Sequence, residues 1–359
     1  METTAFQEQG WLNDAAICAL FSKHLRTTGH IIIREVRSGK FPPAFTYLLM
    51  QALRGPGKLL ASPIMQGELL DRHALRGWTL PVLLTAVSAS GTQTASLSNL
   101  PKSLWLRACA VAAATEFLGA ALDIIDDIQD GDSPFVQRVG MPFALNVGTA
   151  FLELAPLTLI RAGDANWSHA LADAALKYLH TSILRSLGGQ FLDLRFEKMR
   201  NVSEAQIMEM IEKKSGSLLA LICRLGAMAG VAGEQERPPE YFEAMGSLGS
   251  FIGIWFQLLN DLHDAEEAQT QTRKSDRKRG KKTLPLALEE HAMIEGADEE
   301  QGEWTLNAQA AFSYTYVTAE VFRMRARKAL QAVEDQFGPH PLLWPLLAAH
   351  WEVELNSNE

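Results

Sequence analysis

Residues 117–132 read FLGAALDIIDDIQDGD, and this stretch decides the fold. Its acids Asp123, Asp126, Asp127 and Asp130 recur at i, i+3, i+4 and i+7, which is one face of a helix. Leu122, Ile124, Ile125 and Ile128 stand between them and suit burial on the other faces. Four carboxylates on a largely apolar helix repel one another and are costly to desolvate. At the C-terminal end of a helix the dipole opposes them as well. The pattern therefore asks for bound cations. A solvated acidic face is the plain alternative, weakened by the apolar residues on either side.

The arrangement recurs near residue 260, where Gln257, Asn260, Asp261 and Asp264 take the same spacing among Phe256, Leu258, Leu259 and Leu262. Each stripe is followed by basic residues, then Gly and Pro: Arg138, Gly140 and Pro142 after the first, and the run from Arg273 to Lys282 with Pro285 after the second. Facing each other across a bundle, two such stripes would make an oxygen-lined cage suited to Mg²⁺, which favours carboxylates, waters and substrate phosphates. The basic loops would donate to the same phosphates. The combination predicts a pocket for a metal-bridged diphosphate above an apolar shaft for a hydrocarbon tail.

The remaining sequence reads as helices. They are expected at 13–37, within FTYLLMQAL, in two pieces over 64–90 broken near Gly77 and Pro81, and from Pro101 to Asp130, roughly 45 Å long. A loop should hold Arg138. Further helices are expected at 142–163, 166–198, from a Ser203/Gln206 capping box to about 232, from Pro238-Pro239 to Glu267, beyond Pro285, at 301–335 and at 341–354. No sustained period-2 alternation appears. The fold expected is all-α, one helical bundle around a central cavity. Residues 1–64 form N-terminal helices and a Pro/Gly-rich connection packed on it, and 65–359 form the catalytic bundle.

Composition bounds the function. The chain has 359 residues, 47% hydrophobic and 21% charged, which is neither disordered nor fibrous. A net charge of −9 argues against general nucleic-acid binding. Cys18, Cys109 and Cys223 lack metal-ligand spacing and read as reduced, buried residues. The opening METTAFQEQG is polar, unlike a signal peptide. No eighteen-residue run is uninterruptedly apolar, so a spanning helix is not expected. A cytoplasmic protein is the expectation.

These residues carry a resemblance. Over about residues 65–300 the chain resembles the trans-polyprenyl synthetase family of class I isoprenoid enzymes. The elements are Asp126-Asp127-Ile128-Gln129-Asp130, Gly189-Gln190 with Asp193, Lys214-Ser215-Gly216, Phe256-Gln257 with Asn260-Asp261-Leu262-His263-Asp264, and Gly280-Lys281-Lys282-Thr283-Leu284-Pro285. The resemblance implies that Asp126, Asp127 and Asp130 bind two Mg²⁺, and that Asp261 and Asp264, with Asn260 able to ligate through its amide oxygen, bind a third. It implies that Lys214 and Lys281 hold an allylic diphosphate with Gln257 beside it. Arg138 stands near the arginine pair of chain-elongating relatives, with Val139 in the second place. It also implies a homodimer.

The departures shape the expected function. Elongating members carry an upstream Gly-Gly-Lys-Arg-x-Arg-Pro segment whose cations grip isopentenyl diphosphate. Aligned on Pro81, the corresponding stretch is Arg76-Gly77-Trp78-Thr79-Leu80-Pro81, without those cations. Each lost charge-assisted contact is worth about 1.5–3 kcal/mol, so elongation is expected to be disfavoured. LDIIDDIQD, KKSGSLLAL, the Asn-Asp start of the second stripe and KKTLP are similar to ComQ-type enzymes, which prenylate a tryptophan of a peptide. The leading expectation is ionisation of a farnesyl- or geranylgeranyl-class diphosphate with transfer to an acceptor other than isopentenyl diphosphate, such as a peptide. A class I terpene cyclase and ordinary chain elongation are the alternatives. For the tail pocket, Ala121 and Leu122 admit a tail longer than geranyl, and Trp255 is either a cation-stabilising wall or core packing. Asp123 is either a site acid or a hydrogen-bonded core acid. Lys213 should face solvent, Lys214 the interior, and His263 the helix surface.

Overall fold

The structure is a computed structural model that describes residues 14–55, 58–66, 78–91, 100–131, 133–163, 167–231, 237–270, 280–294 and 301–347. Every regular element among them is helical, as the periodicity predicts: α1 (Asp14–Ser38), α2 (Pro43–Ala52), α3 (Thr79–Ala89), α4 (Lys102–Asp130), α5 (Pro134–Val139), α6 (Met141–Gly163), α7 (His169–Phe196), α8 (Glu204–Ile211), α9 (Ser217–Gly230), α10 (Pro239–Thr270), α11 (Leu284–Ile294) and α12 (Gln301–Phe337). Short 3₁₀ turns lie at Leu59–Ala61, Pro63–Gln66 and Trp344–Leu347. The chain divides into two compact units, one of residues 1–178, 222–242 and 338–346, the other of 179–221, 243–337 and 347–359.

In the first unit α4 is the axis. It packs along α6, with α1 and α3 against it. From Arg107 to Ala121 it is rich in Ala and almost wholly buried, and Phe117 stacks on Phe151 of α6 at 5.8 Å. Small side chains allow this close helix packing, and the apolar area they remove from water drives it. Every residue of α3 is buried. Glycines of α9 fit against it: a Cβ on Gly230 would lie 2.0 Å from the Ala86 carbonyl oxygen. Glu35, 2% exposed, takes ion pairs from Arg34 and from Arg161, tying α1 to α6. Cys109 and Cys223 are buried, and burial pushes both thiols up to about 12. The side chain of Cys18 lies outside the described residues.

In the second unit α11 packs on α12 and on α8. Tyr314 of α12 donates its hydroxyl to Glu204 at 2.9 Å, and Phe251 of α10 meets Phe322 at 6.4 Å. The capping box at Ser203 and Gln206 is formed.

Several local expectations need correction. Pro81 does not break a helix, because it sits in the first turn of α3 where no backbone donor is lost. Arg138 lies in α5, not in a loop; Ser133 caps that helix and Pro134 opens it. The single helix expected after Ser203 is interrupted by a π turn at Glu212–Gly216. Only the 3₁₀ turn Trp344–Leu347 is seen of the final helix, whose remainder lies outside the described residues. Three helices, Lys102–Asp130, Met141–Ala162 and Pro239–Glu266, are long and apolar enough to cross a membrane by length and composition. The uninterrupted-run criterion missed them because single polar residues break the runs. In Lys102–Asp130, 83% of the apolar window is buried inside the protein, so core packing accounts for its composition.

Candidate functional site

The first stripe occupies the last two turns of α4. Gly131 closes the helix in the left-handed region (φ +71°), and its N–H donates to the Asp127 carbonyl at 3.0 Å. A residue with a Cβ would be strained there. The turn leads into α5, so that the acids and Arg138 meet across it. Asp126, Asp127 and Asp130 are half-buried, and Asp123 is exposed.

A cavity of about 960 Å³ opens at this end of the first unit. Asp123, Asp126 and Asp127 form one wall, Ser133, Phe135 and Arg138 a second, and Tyr47, Gln51, Arg54 and Lys58 a third. Lys58 makes an ion pair with Asp123. Arg138 lies over the Phe135 ring at 5.7 Å, a contact that holds the guanidinium at the cavity. Gln51 donates to the Tyr47 hydroxyl at 2.6 Å. Three cations therefore share this cavity with three carboxylates.

The stretch Arg76–Pro81, where the acceptor's cations are expected to be missing, is described only in part. Arg76 and Gly77 lie outside the described residues, and Thr79, Leu80 and Pro81 are buried in α3. The basic residues beside the stripe come instead from Arg54 and Lys58, on the connection after α2. The sequence held a signal for them: Arg54-Gly55-Pro56-Gly57-Lys58 brackets two cations with residues that turn the chain.

Behind the stripe, Glu116 is fully buried and accepts hydrogen bonds from the Thr79 hydroxyl at 2.7 Å and the Thr79 N–H at 3.1 Å. Burial raises its carboxyl above the usual range, partly offset by the Thr79 hydroxyl and by the Lys58 charge. Trp78 packs into the notch at Gly119, where a Cβ would fall 2.6 Å from the indole nitrogen. Of the tail-pocket residues, Ala121 is buried and Leu122 half-buried; the cavity touches their neighbours Ala120 and Ile124.

In the second unit the chain is organised around the π turn. Lys214 lies within it and reaches Asp193 of α7 at 2.7 Å, while Ser186 donates to the Lys214 carbonyl. Gly189 permits this approach. The following residue, Ser215, donates to Gln257 at 2.6 Å, and Gln257 donates to Asp261 at 2.9 Å. The Lys214–Asp193 pair and the Ser215–Gln257–Asp261 chain thus start from adjacent residues of the π turn, and Asp261 is buried. Lys213 pairs with Glu209 one turn away, more exposed than Lys214. Asn260, His263 and Asp264 are exposed. Trp255 is 2% exposed, and its indole nitrogen makes no hydrogen bond among the described residues. Gly280 turns the chain (φ +79°) just before Lys281, and Lys282 pairs with Glu290 of α11. Residues 271–279, most of the basic run, lie outside the described residues.

Among the described residues no three His, Cys, Asp or Glu side chains gather into a ready-made metal cage. Asp126 and Asp127 on an open cavity wall instead suit Mg²⁺, which takes one or two carboxylates and completes its octahedron with waters and phosphate oxygens. The donor set fits that ion.

Comparison with known proteins agrees with these features. The profile of the polyprenyl synthetase family matches residues 79–312. A short chain isoprenyl diphosphate synthase from Methanothermobacter thermautotrophicus is 34% identical over 49% of this chain and 54% of its own length. A geranylgeranyl diphosphate synthase from Methanosarcina mazei is 31% identical over 56% of this chain and 60% of its own. The chain thus spans little more than half the length of the curated relatives it matches. In fold it is similar to the crystal structure of a polyprenyl synthetase from Streptomyces coelicolor, with a TM-score of 0.69 at 19% identity over 94% of this chain and 100% of that one. The chain belongs to the polyprenyl synthetase family.

Proposed function

We propose that this protein is a Mg²⁺-dependent chain-elongating prenyl diphosphate synthase, which joins the prenyl group of an allylic diphosphate to isopentenyl diphosphate. The observation that carries this reading is the placement of Arg54, Lys58 and Arg138 around the cavity that Asp126 and Asp127 line. An acceptor bearing its own diphosphate needs several charge-assisted donors away from the first diphosphate, and the expectation against elongation rested on their absence. The relatives named above, both synthases of prenyl diphosphates, support the same reading.

The roles follow from the chemistry of each group. Asp126, Asp127 and Asp130 would hold two Mg²⁺ at the first unit's cavity, and Asp261 and Asp264, with Asn260, would hold a third on the second unit. When bound, Mg²⁺ takes up negative charge on the departing diphosphate. Lys214, held by Asp193, and Lys281 are the second unit's donors suited to an allylic diphosphate. Gln257 is fixed by Ser215 and by Asp261, so its amide cannot rotate away. Arg54, Lys58 and Arg138 bind the acceptor diphosphate. Ala121 and Leu122, next to the cavity-lining Ala120 and Ile124, would meet the prenyl tail, and Trp255 is buried within the second unit.

One observation favours a second reading, transfer to an acceptor without a diphosphate, such as a peptide: Lys58 is already neutralised by Asp123. We infer a homodimer from α6, whose Met141, Phe143, Leu145, Leu157 and Ile160 are exposed on a long apolar helix, a grouping of apolar side chains of the kind that marks an interface. Titration of isopentenyl diphosphate into the intact protein tests the main reading. Binding that weakens on Arg54→Ala or Arg138→Ala supports it, and the lack of any binding would remove it.

A further inference from the structure

Lys58 and Asp123 are 65 residues apart in sequence, yet they form an ion pair on the cavity wall. Lys58 is the more enclosed partner, 16% exposed against 52% for Asp123. Asp123 stands one turn before Asp126 on the same face of α4, so it is the acid of the stripe nearest the α2 connection that carries Arg54 and Lys58. A diphosphate entering the cavity meets two cations, Arg54 and Arg138, together with a lysine whose charge is engaged by a carboxylate.

Resting on the elongation reading, we propose that Asp123 is a positioning residue that competes with the acceptor diphosphate for Lys58 and so sets the affinity of the acceptor site. In the acceptor-free protein Lys58 is held by Asp123. On binding, a phosphate oxygen replaces the carboxylate at the ammonium and Asp123 returns to water. Its exposure makes that return inexpensive, because a solvated carboxylate needs no protein partner. Breaking the Lys58–Asp123 pair costs the same whichever anion takes the carboxylate's place, so the exchange lowers the affinity of every anion that seats on Lys58 by one common factor. Asp123 thereby sets how tightly the acceptor diphosphate is held. It does not touch the reacting carbons and is not a catalytic residue.

The test compares wild type, Asp123→Asn, Asp123→Ser, Lys58→Met and the Lys58→Met/Asp123→Asn double variant as intact proteins. Isothermal titration reads the affinity for isopentenyl diphosphate and for inorganic phosphate, and circular dichroism confirms folding. Removing the carboxylate should tighten isopentenyl diphosphate by about two- to fivefold at low salt, the range of a partly exposed ion pair. Inorganic phosphate seated on Lys58 should gain by a similar factor. The gain should shrink at high salt and vanish when Lys58 is already Met. Unchanged or weaker binding in either folded Asp123 variant overturns the proposal, as does an equal gain in the Lys58→Met background. If wild type binds and elongates while the variants show no gain, only the competition fails. If wild type neither binds nor elongates, both readings fall.

Discussion

Gly189 of α7 lies so close to the π turn that a Cβ there would sit 2.4 Å from the backbone nitrogen of Lys214. No rotamer relieves a clash with backbone, so one of the two elements must move. Gly189→Ala should lower the midpoint of thermal unfolding, with a cost of about 1–3 kcal/mol, and should cut turnover by displacing Lys214. Differential scanning calorimetry together with steady-state rates checks this; an unchanged midpoint and rate would refute the close packing.

Lys214 and Asp193 are paired at 2.7 Å, and we assign the lysine to the allylic diphosphate. Lys214→Gln should raise the KM for the allylic substrate by about tenfold or more, the worth of a charge-assisted contact. The KM for isopentenyl diphosphate should move much less. A larger effect on the acceptor would exchange the two assignments.

The opposite pattern is expected on the first unit's cavity. Arg138→Ala and Arg54→Ala should each raise the KM for isopentenyl diphosphate by about tenfold, again at the scale of one charged contact. Competition kinetics with the allylic substrate held at saturation separate the two.

Glu116 carries a pH signature. Burial raises its pKa in the folded protein above the ordinary 4.5. The folded state therefore holds this proton at pH values where the unfolded state has lost it. Stability from this group is complete below about pH 4.5 and falls as pH rises through the folded pKa. Glu116→Gln removes the titration and keeps an acceptor for the Thr79 hydroxyl. Its denaturation midpoint should depend less on pH than that of wild type over this window, and parallel profiles would contradict the assignment.

What could be read from the sequence divides along physical lines. The long helix ending in the stripe was legible because apolar and acidic residues keep one period for several turns, and a helix obeys that period wherever it lies. The Gly189, Lys214 and Gln257 elements were legible as motifs, and their meeting at the π turn follows from contacts that no spacing reveals. Asp193 was quoted as part of a motif, but its service to Lys214 depends on the π turn. One extra residue in a turn leaves no mark on a pattern of EKKSG. Arg54 and Lys58 are not legible as site residues because the chain around them reads as a loop, and a loop carries no periodicity to say which wall it reaches. Pro81 is no guide to the cations beside the stripe, because all of α3 is buried in the core. α5 was missed for its shortness, although Ser133-Pro134 is a helix-opening pair.

The metal ligands can be tested without reference to the acceptor. Asp127→Ala removes a carboxylate from the cavity wall and should abolish turnover, with Mg²⁺ no longer tightening binding of the allylic diphosphate in titration. Activity at the wild-type level would overturn the assignment.

The most direct measurement is product analysis by mass spectrometry after incubating the purified protein with Mg²⁺ and farnesyl diphosphate, with and without isopentenyl diphosphate. Diphosphates lengthened by five-carbon units, formed only when isopentenyl diphosphate is present, are the expected result. Cyclic hydrocarbons or alcohols released from farnesyl diphosphate alone, with no longer diphosphate when the second substrate is added, would contradict the elongation reading and return the cavity to a different acceptor.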